Sequence, residues 1–203
     1  MKRILLFVFP FCILFSFKGM AQSVNLNDPI PVDQTIKKGV LPNGMAYYIK
    51  STDVVKDAAS YYIIQNVGSI LENDDQQGLA HFLEHMAFNG TESFPGKGIL
   101  NTLQKYGAVF GKDINAYTGF DETVYNLNNI PTKEGLIDTC LTVLNDWSNY
   151  LLLTNEEIDA ERGVIKEEWR TRQNGRMRLF QTSLPITFNH SKYANRLPIG
   201  LMS

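Results

Sequence analysis

Between Gly78 and Thr91 the chain reads GLAHFLEHMAFNGT, and this stretch restricts the possible folds more than any other. Two of the chain's three histidines fall here, with a glutamate between them, set into a frame of Leu, Ala, Phe and Met. On a helix at about 100° per residue, His85 projects roughly 40° from His81, one turn further on. Both imidazoles therefore leave one face, and Glu84 lies between them in projection. Such a helix must bury its apolar back in a core. It must also bring its histidines to partners, because unpaired polar groups in a dry setting are costly. Two histidines at i and i+4 can each give one nitrogen to a single zinc ion at about 2.0–2.1 Å. A zinc-bound water has its pKa lowered towards about 7, and a carboxylate placed like Glu84 can take its proton. Taken alone, the same pair can equally be solvated or hydrogen-bonded to neighbours.

Catalytic zinc uses three protein ligands and keeps one position open. The third ligand should be another acid or histidine from a different element. His190 is isolated in FNHSKYANRLPIG, a loop-like context. The segment ERGVIKEE places Glu161 and Glu168 seven residues apart, two turns and nearly one face. Glu167 points about 100° away from Glu168. By itself this segment also reads as an ordinary charged helix face.

The other elements follow from pattern. LPNG at 41–44, between apolar stretches, carries the Asn43-Gly44 hairpin signal. AASYYIIQNVGS is β-branched and aromatic and reads as a buried strand, ended by Gly68 and the acidic turn ENDDQQG. A helix is expected over 78–88, closed by Asn89-Gly90, and a second in GKGILNTLQKYG, stopped by Gly107. KDINAYTGFDETVYNLNN reads as two strands around a turn containing Gly119. Apolar residues at 136, 137, 140, 141, 144 and 147 predict a core-facing helix. Thr154 and Glu157 form a capping box that opens one long helix running to Phe180. Hairpins followed by helices imply an α+β fold: an antiparallel-rich sheet with helices packed on one face, a two-layer sandwich.

The N-terminus predicts export. Lys2 and Arg3 precede an apolar run from Ile4 to Phe17, and Gly19, Met20 and Ala21 supply cleavage-site residues. Residues 1–21 read as a signal peptide, followed by an extended arm at 22–35 and a domain from 36 to 203. The expected location is periplasmic or secreted, with no stable membrane span once the leader is removed. Removal takes Lys2, Arg3 and Lys18 from the 19 basic residues and leaves all 21 acids, a net charge of −5. That balance argues against nucleic acid as a partner. Beyond the leader Cys140 is the single cysteine, so the fold cannot rest on an internal disulfide.

HFLEH, followed by ERGVIKEE some eighty residues on, resembles the pitrilysin/insulysin family of zinc peptidases, the inverzincins. The resemblance runs from about Gly44 to Gly200 and includes NAYTGFDETVY and YANRLPIG. It implies one zinc ion per chain, bound by His81, His85 and Glu168, with Glu84 as general base. Glu161 would orient a ligand histidine, and its register favours Glu168 over Glu167 as the third ligand. Asn115 and Ala116 would lie on an edge strand that pairs with the backbone of an extended peptide substrate. Family members have two related halves, or are completed by a partner chain, and no second half is legible here. The chain is therefore expected to be the metal-bearing N-terminal fragment of a two-half zinc endopeptidase, its domain incomplete at the C-terminus. A complementary C-terminal half or partner chain would complete it. Two alternatives are a non-catalytic peptide-binding module and a structural subunit that needs a partner half.

Overall fold

The structure, a computed structural model, describes residues 29–202. The expected signal peptide at 1–21 and residues 22–28 of the expected arm lie outside the described residues. The chain divides into two compact units, one up to Ser51 and one from Thr52 on.

The first unit is a hairpin. β1 (Ile36–Val40) pairs antiparallel with β2 (Ala46–Lys50), Val40 opposite Ala46. Gly44 takes φ +88° and donates its N–H to the Leu41 carbonyl at 2.9 Å, closing the turn that Asn43-Gly44 predicts. Lys50 Nζ reaches Asp33 at 2.7 Å and ties the residues before β1 to the end of β2.

The second unit is built on a three-stranded antiparallel sheet in the order β3–β5–β4. β3 is Ala58–Gln65, β4 Ile114–Thr118 and β5 Thr123–Pro131. The expected hairpin is present, with Ala116 opposite Tyr125 and the turn at Gly119. Central β5 is buried continuously from Thr123 to Leu127, without alternation. β3 differs from expectation. It is an edge strand, with only Ile63 fully buried and Tyr62 and Ile64 55% and 61% exposed. β-branched and aromatic content fits any half-covered pleat and does not separate edge from centre.

Five helices accompany the sheet among the described residues: α1 (Leu79–Met86), α2 (Gly98–Gln104), α3 (Leu136–Asn149), α4 (Asn155–Arg172) and α5 (Gly175–Phe188). α1 and α3 pack on the sheet, and α4 packs on α1. The fold is α+β, an antiparallel sheet with helices on one face. Ile63, Ile114, Tyr125, Leu127 and Ile130 from the strands meet Leu103 of α2 and Leu136, Cys140, Val143 and Trp147 of α3 in one core. Trp147 is 1% exposed, stacks on Tyr125 at 5.3 Å and donates its indole N–H to the Ala87 carbonyl at 3.0 Å. That bond ties the end of α1 to the core. Ile137 and Leu141 of the expected apolar stripe are instead exposed, while Val143 joins the core face.

The long helix expected from Thr154 to Phe180 is two helices. Thr154 caps α4 as the capping box predicts, its Oγ1 accepting the Glu157 N–H at 3.3 Å. α4 stops at Arg172, and the Asn174 side chain then accepts the Met177 N–H at 3.0 Å as the cap of α5. Asparagine competes for backbone partners and glycine is a weak helix former, so Asn174-Gly175 restarts the helix rather than continuing it. Among the described residues no helix is long and apolar enough to cross a membrane.

Candidate metal centre

α1 begins at Gly78, whose φ of +97° an L side chain would strain, and whose added Cβ would meet the Gly200 backbone at 3.0 Å. Its cap comes from upstream. The buried Glu72 carboxylate accepts the N–H groups of Gly78 and Ala80, each at 2.8 Å, placing an anion on the positive end of the helix. The Glu72 carbonyl in turn accepts from Arg196 Nε at 3.3 Å, and Arg196, 2% exposed, also pairs with Asp74. Ser69 Oγ donates to the Arg196 carbonyl at 2.6 Å. The segment YANRLPIG thus clamps the chain just before the histidines. Sequence reasoning missed Glu72, because a cap six residues before the helix fits no local spacing rule.

From this helix His81 and His85 project side by side, ring centroids 4.7 Å apart and planes at 70°. Glu168 of α4 faces both: its Oε2 lies 3.1 Å from His85 Nε2 and 3.6 Å from His81 Nε2. The latter is too long for a hydrogen bond. Ligand atoms of His81, His85 and Glu168 all lie within 4.8 Å of one another. His81 is 6% exposed and its Nδ1 has no hydrogen-bond partner. Burial holds the His81 imidazole down at about 4, against the opposing pull of Glu168. It is therefore neutral at pH 7 and able to give a lone pair. Two imidazoles and one carboxylate match the N/O donor set of a catalytic zinc site.

Around these groups sit other polar side chains. Glu161, one face of α4 with Glu168, accepts from His85 Nδ1 at 2.8 Å through Oε1 and from Asn89 Nδ2 at 2.6 Å through Oε2. Arg172 holds the other oxygen of Glu168 at 2.6 Å. Glu167 is on the exposed side, paired with Arg170 at 2.5 Å and away from the histidines. His190 lies after α5, exposed, outside the cluster.

Glu84 is 8% exposed, and Thr118 Oγ1 donates to its Oε2 at 2.6 Å. Burial raises the Glu84 carboxyl above its ordinary range, and the Thr118 bond partly offsets this. Thr118 follows Ala116 on the same face of β4, a pairing that strand alternation could have flagged. Among the described strands β4 pairs only with β5, and beyond Ile114, which bonds Val109 and Gly111, its other edge is free. Asn115 and Ala116 lie on it, and with Thr118 they line the same cavity of about 690 Å³ as His81, Glu84 and His85. Phe88, Phe110 and Val164 supply its apolar wall.

Residues 48–197 match the family described as Insulinase (Peptidase family M16). The probable zinc protease PqqL of Haemophilus influenzae is 38% identical over 194 residues, 95% of this chain and 21% of that protein. Its Escherichia coli namesake is 39% identical over 173 residues, 85% of this chain and 19% of that one. The crystal structure of the first half of the periplasmic protease PqqL from Escherichia coli superimposes with a TM-score of 0.81 at 39% identity, covering 85% of this chain and 37% of that one. The chain spans about a fifth of the length of the curated relatives it matches.

Proposed function

Because this chain belongs to the insulinase family of peptidases, M16, whose relatives are zinc proteases, we propose that it carries the metal-binding and proton-transferring residues of a zinc endopeptidase. The observation that supports this most directly is the convergence of His81, His85 and Glu168 within 4.8 Å, beside Glu84, in one cavity. These three side chains would hold one zinc ion per chain. Zinc bound there would supply Lewis acidity, acidifying water and polarising a peptide carbonyl. Glu84 takes the proton of the attacking water and passes it to the leaving amine. Its burial and raised pKa suit a carboxyl that must take up a proton and give it away again. The Thr118 hydroxyl occupies Oε2 and fixes the carboxylate plane, leaving Oε1 for the exchange. Glu161 orients His85 through Nδ1.

The substrate class follows from β4. An extended peptide can add to its free edge beside Asn115 and Ala116, where main-chain bonds give affinity. Folded proteins have those backbone groups already paired, so the site favours extended or unfolded peptides. The relatives' greater length supports a domain from 36 to 203 acting as the N-terminal part of a two-half enzyme, completed by a further half or a partner chain. The periplasmic relative and the apolar leader at 1–21 support an exported enzyme. The free edge of β4 also favours a second reading, a module that captures peptides without cutting them.

An unstructured quenched fluorescent peptide separates the two. Turnover that a chelator stops, that zinc restores and that Glu84→Gln abolishes supports the peptidase. Saturable binding without turnover, despite one bound zinc per chain, supports the capture module. A chain that retains no zinc refutes the ligand assignment.

A further inference from the structure

Behind the histidines runs a chain of polar contacts that the proposed catalytic steps do not use. Asn89, three residues beyond the end of α1, is 5% exposed, and its Nδ2 donates to Glu161 Oε2 at 2.6 Å. Its Oδ1 accepts from Lys97 Nζ at 2.5 Å. Lys97 immediately precedes α2 and is otherwise exposed. An ammonium group can only donate, so the Asn89 amide has one orientation here: oxygen towards Lys97, nitrogen towards Glu161. Both oxygens of Glu161 are then engaged, Oε2 by Asn89 and Oε1 by His85 Nδ1 at 2.8 Å. With the amide held nitrogen-first against Oε2, Glu161 is placed to accept at both oxygens. An accepting Oε1 favours the His85 tautomer that carries its proton on Nδ1 and leaves the lone pair on Nε2, the nitrogen that faces Glu168 at 3.1 Å.

We propose that Asn89 and Lys97 are positioning residues that act through Glu161 to set the tautomer and ring orientation of His85. This rests on the reading of His81, His85 and Glu168 as zinc ligands, and it goes beyond it in assigning roles to two residues that hydrogen-bond to none of those three. The backbone holds Asn89 where this role needs it. Its N–H bonds the Met86 carbonyl at 3.0 Å, fixing the turn that follows α1. The adjoining Gly90, at φ +146°, lies so close to Gly96 that a Cβ would meet the Gly96 nitrogen at 2.9 Å. This close approach brings the residues before α2 back against the end of α1, within reach of Lys97.

The test uses Asn89→Ala, which removes the donor to Glu161, together with Asn89→Asp, which preserves shape and the Lys97 contact but sets a second carboxyl against Glu161, and Lys97→Met. Zinc affinity is measured at pH 8 by competition with a chromophoric chelator. Ring-nitrogen NMR shifts report the His85 tautomer in the metal-free chain. The expected result is Nδ1–H alone in the parent and a mixture in both Asn89 variants. Loss of a partner behind a ligand histidine weakens metal binding by roughly 10- to 100-fold, and Asn89→Asp is placed at the lower end, about tenfold. Lys97→Met, which takes the cation from Asn89 Oδ1 but leaves the donor to Glu161 in place, moves both readouts in the same direction by less. Parent-like affinity with pure Nδ1–H in Asn89→Ala overturns the proposal. If the parent binds no zinc, the ligand assignment fails, while the tautomer readout still decides the role of Asn89 and Lys97.

Discussion

Replacing Glu72 with alanine tests how the histidine-bearing helix is held. The carboxylate accepts from Gly78 and Ala80 N–H groups, each at 2.8 Å. Each bond is charge-assisted and contributes roughly 1.5–3 kcal/mol, so losing both outright would cost up to about 6 kcal/mol. Two facts reduce that figure. Gly78 is half-buried, and water can replace its partner, whereas Ala80 is buried and its N–H would stay unpaired. About one full bond is lost, roughly 2 kcal/mol, and removal of the anion from the helix N-terminus adds about 1 kcal/mol. The expected destabilisation is about 3 kcal/mol, which for a chain of this size lowers Tm by roughly 6–12 °C. Glu72→Gln keeps one acceptor but turns an NH2 group towards the second N–H, and should fall about midway. Circular dichroism melts of the metal-free chain measure both variants. Zinc affinity should fall with them, because His81 directly follows Ala80. A Glu72→Ala chain that melts within about 1 °C of the parent would refute the capping argument.

Burial of neutral His81 makes the metal-free chain acid-sensitive. Its folded pKa, about 4, lies below the unfolded 6.5, so the unfolded chain binds more protons between those values. The stability from neutral His81 is present above pH 6.5 and is lost as pH falls towards 4, roughly 3 kcal/mol at about 1.4 kcal/mol per unit. Glu84 is shifted the opposite way and works against this slope, so urea unfolding at several pH values belongs in a Glu84→Gln background. A slope unchanged by His81→Gln would contradict the assignment. Trp147→Ala should cost about 3–5 kcal/mol in urea unfolding, while Trp147→Phe, which keeps a ring but loses the bond to the Ala87 carbonyl, should cost less. A Trp147→Phe chain as stable as the parent would mean the indole N–H contributes nothing.

Local patterns carried most of the fold. Asn43-Gly44, the turn at Gly119 and the cap at Thr154 all appear where spacing predicts them, because each is settled within a few residues. What failed depended on distant partners. Whether β3 is an edge depends on what pairs with it, and Ile137 and Leu141 face outward because the sheet meets a different part of α3. The break at Asn174-Gly175 was local and readable, but the charged residues on either side suit a helix well enough to hide it.

The site divides in the same way. Four glutamates converge on α1, and as residue types they are the same side chain. Glu72 meets two backbone N–H groups at a helix start, Glu84 a single hydroxyl in a buried setting, Glu161 an imidazole and an amide, and Glu168 two imidazoles and a guanidinium. Their environments suit different roles: capping for Glu72, and, in the function proposed above, proton transfer for Glu84, orienting a histidine for Glu161 and metal binding for Glu168. Helical spacing predicts which of them can share a face, and so it reached Glu84, Glu161 and Glu168. It is blind to Glu72, Asn89 and Lys97, which come together only once α1 and α4 have packed and the flanking chain has folded back. The shared faces of His81 with His85 and of Glu161 with Glu168 are therefore written in local periodicity, while the groups proposed to tune the site are brought together by tertiary structure, and those groups are where substitutions should alter metal affinity without touching a proposed ligand.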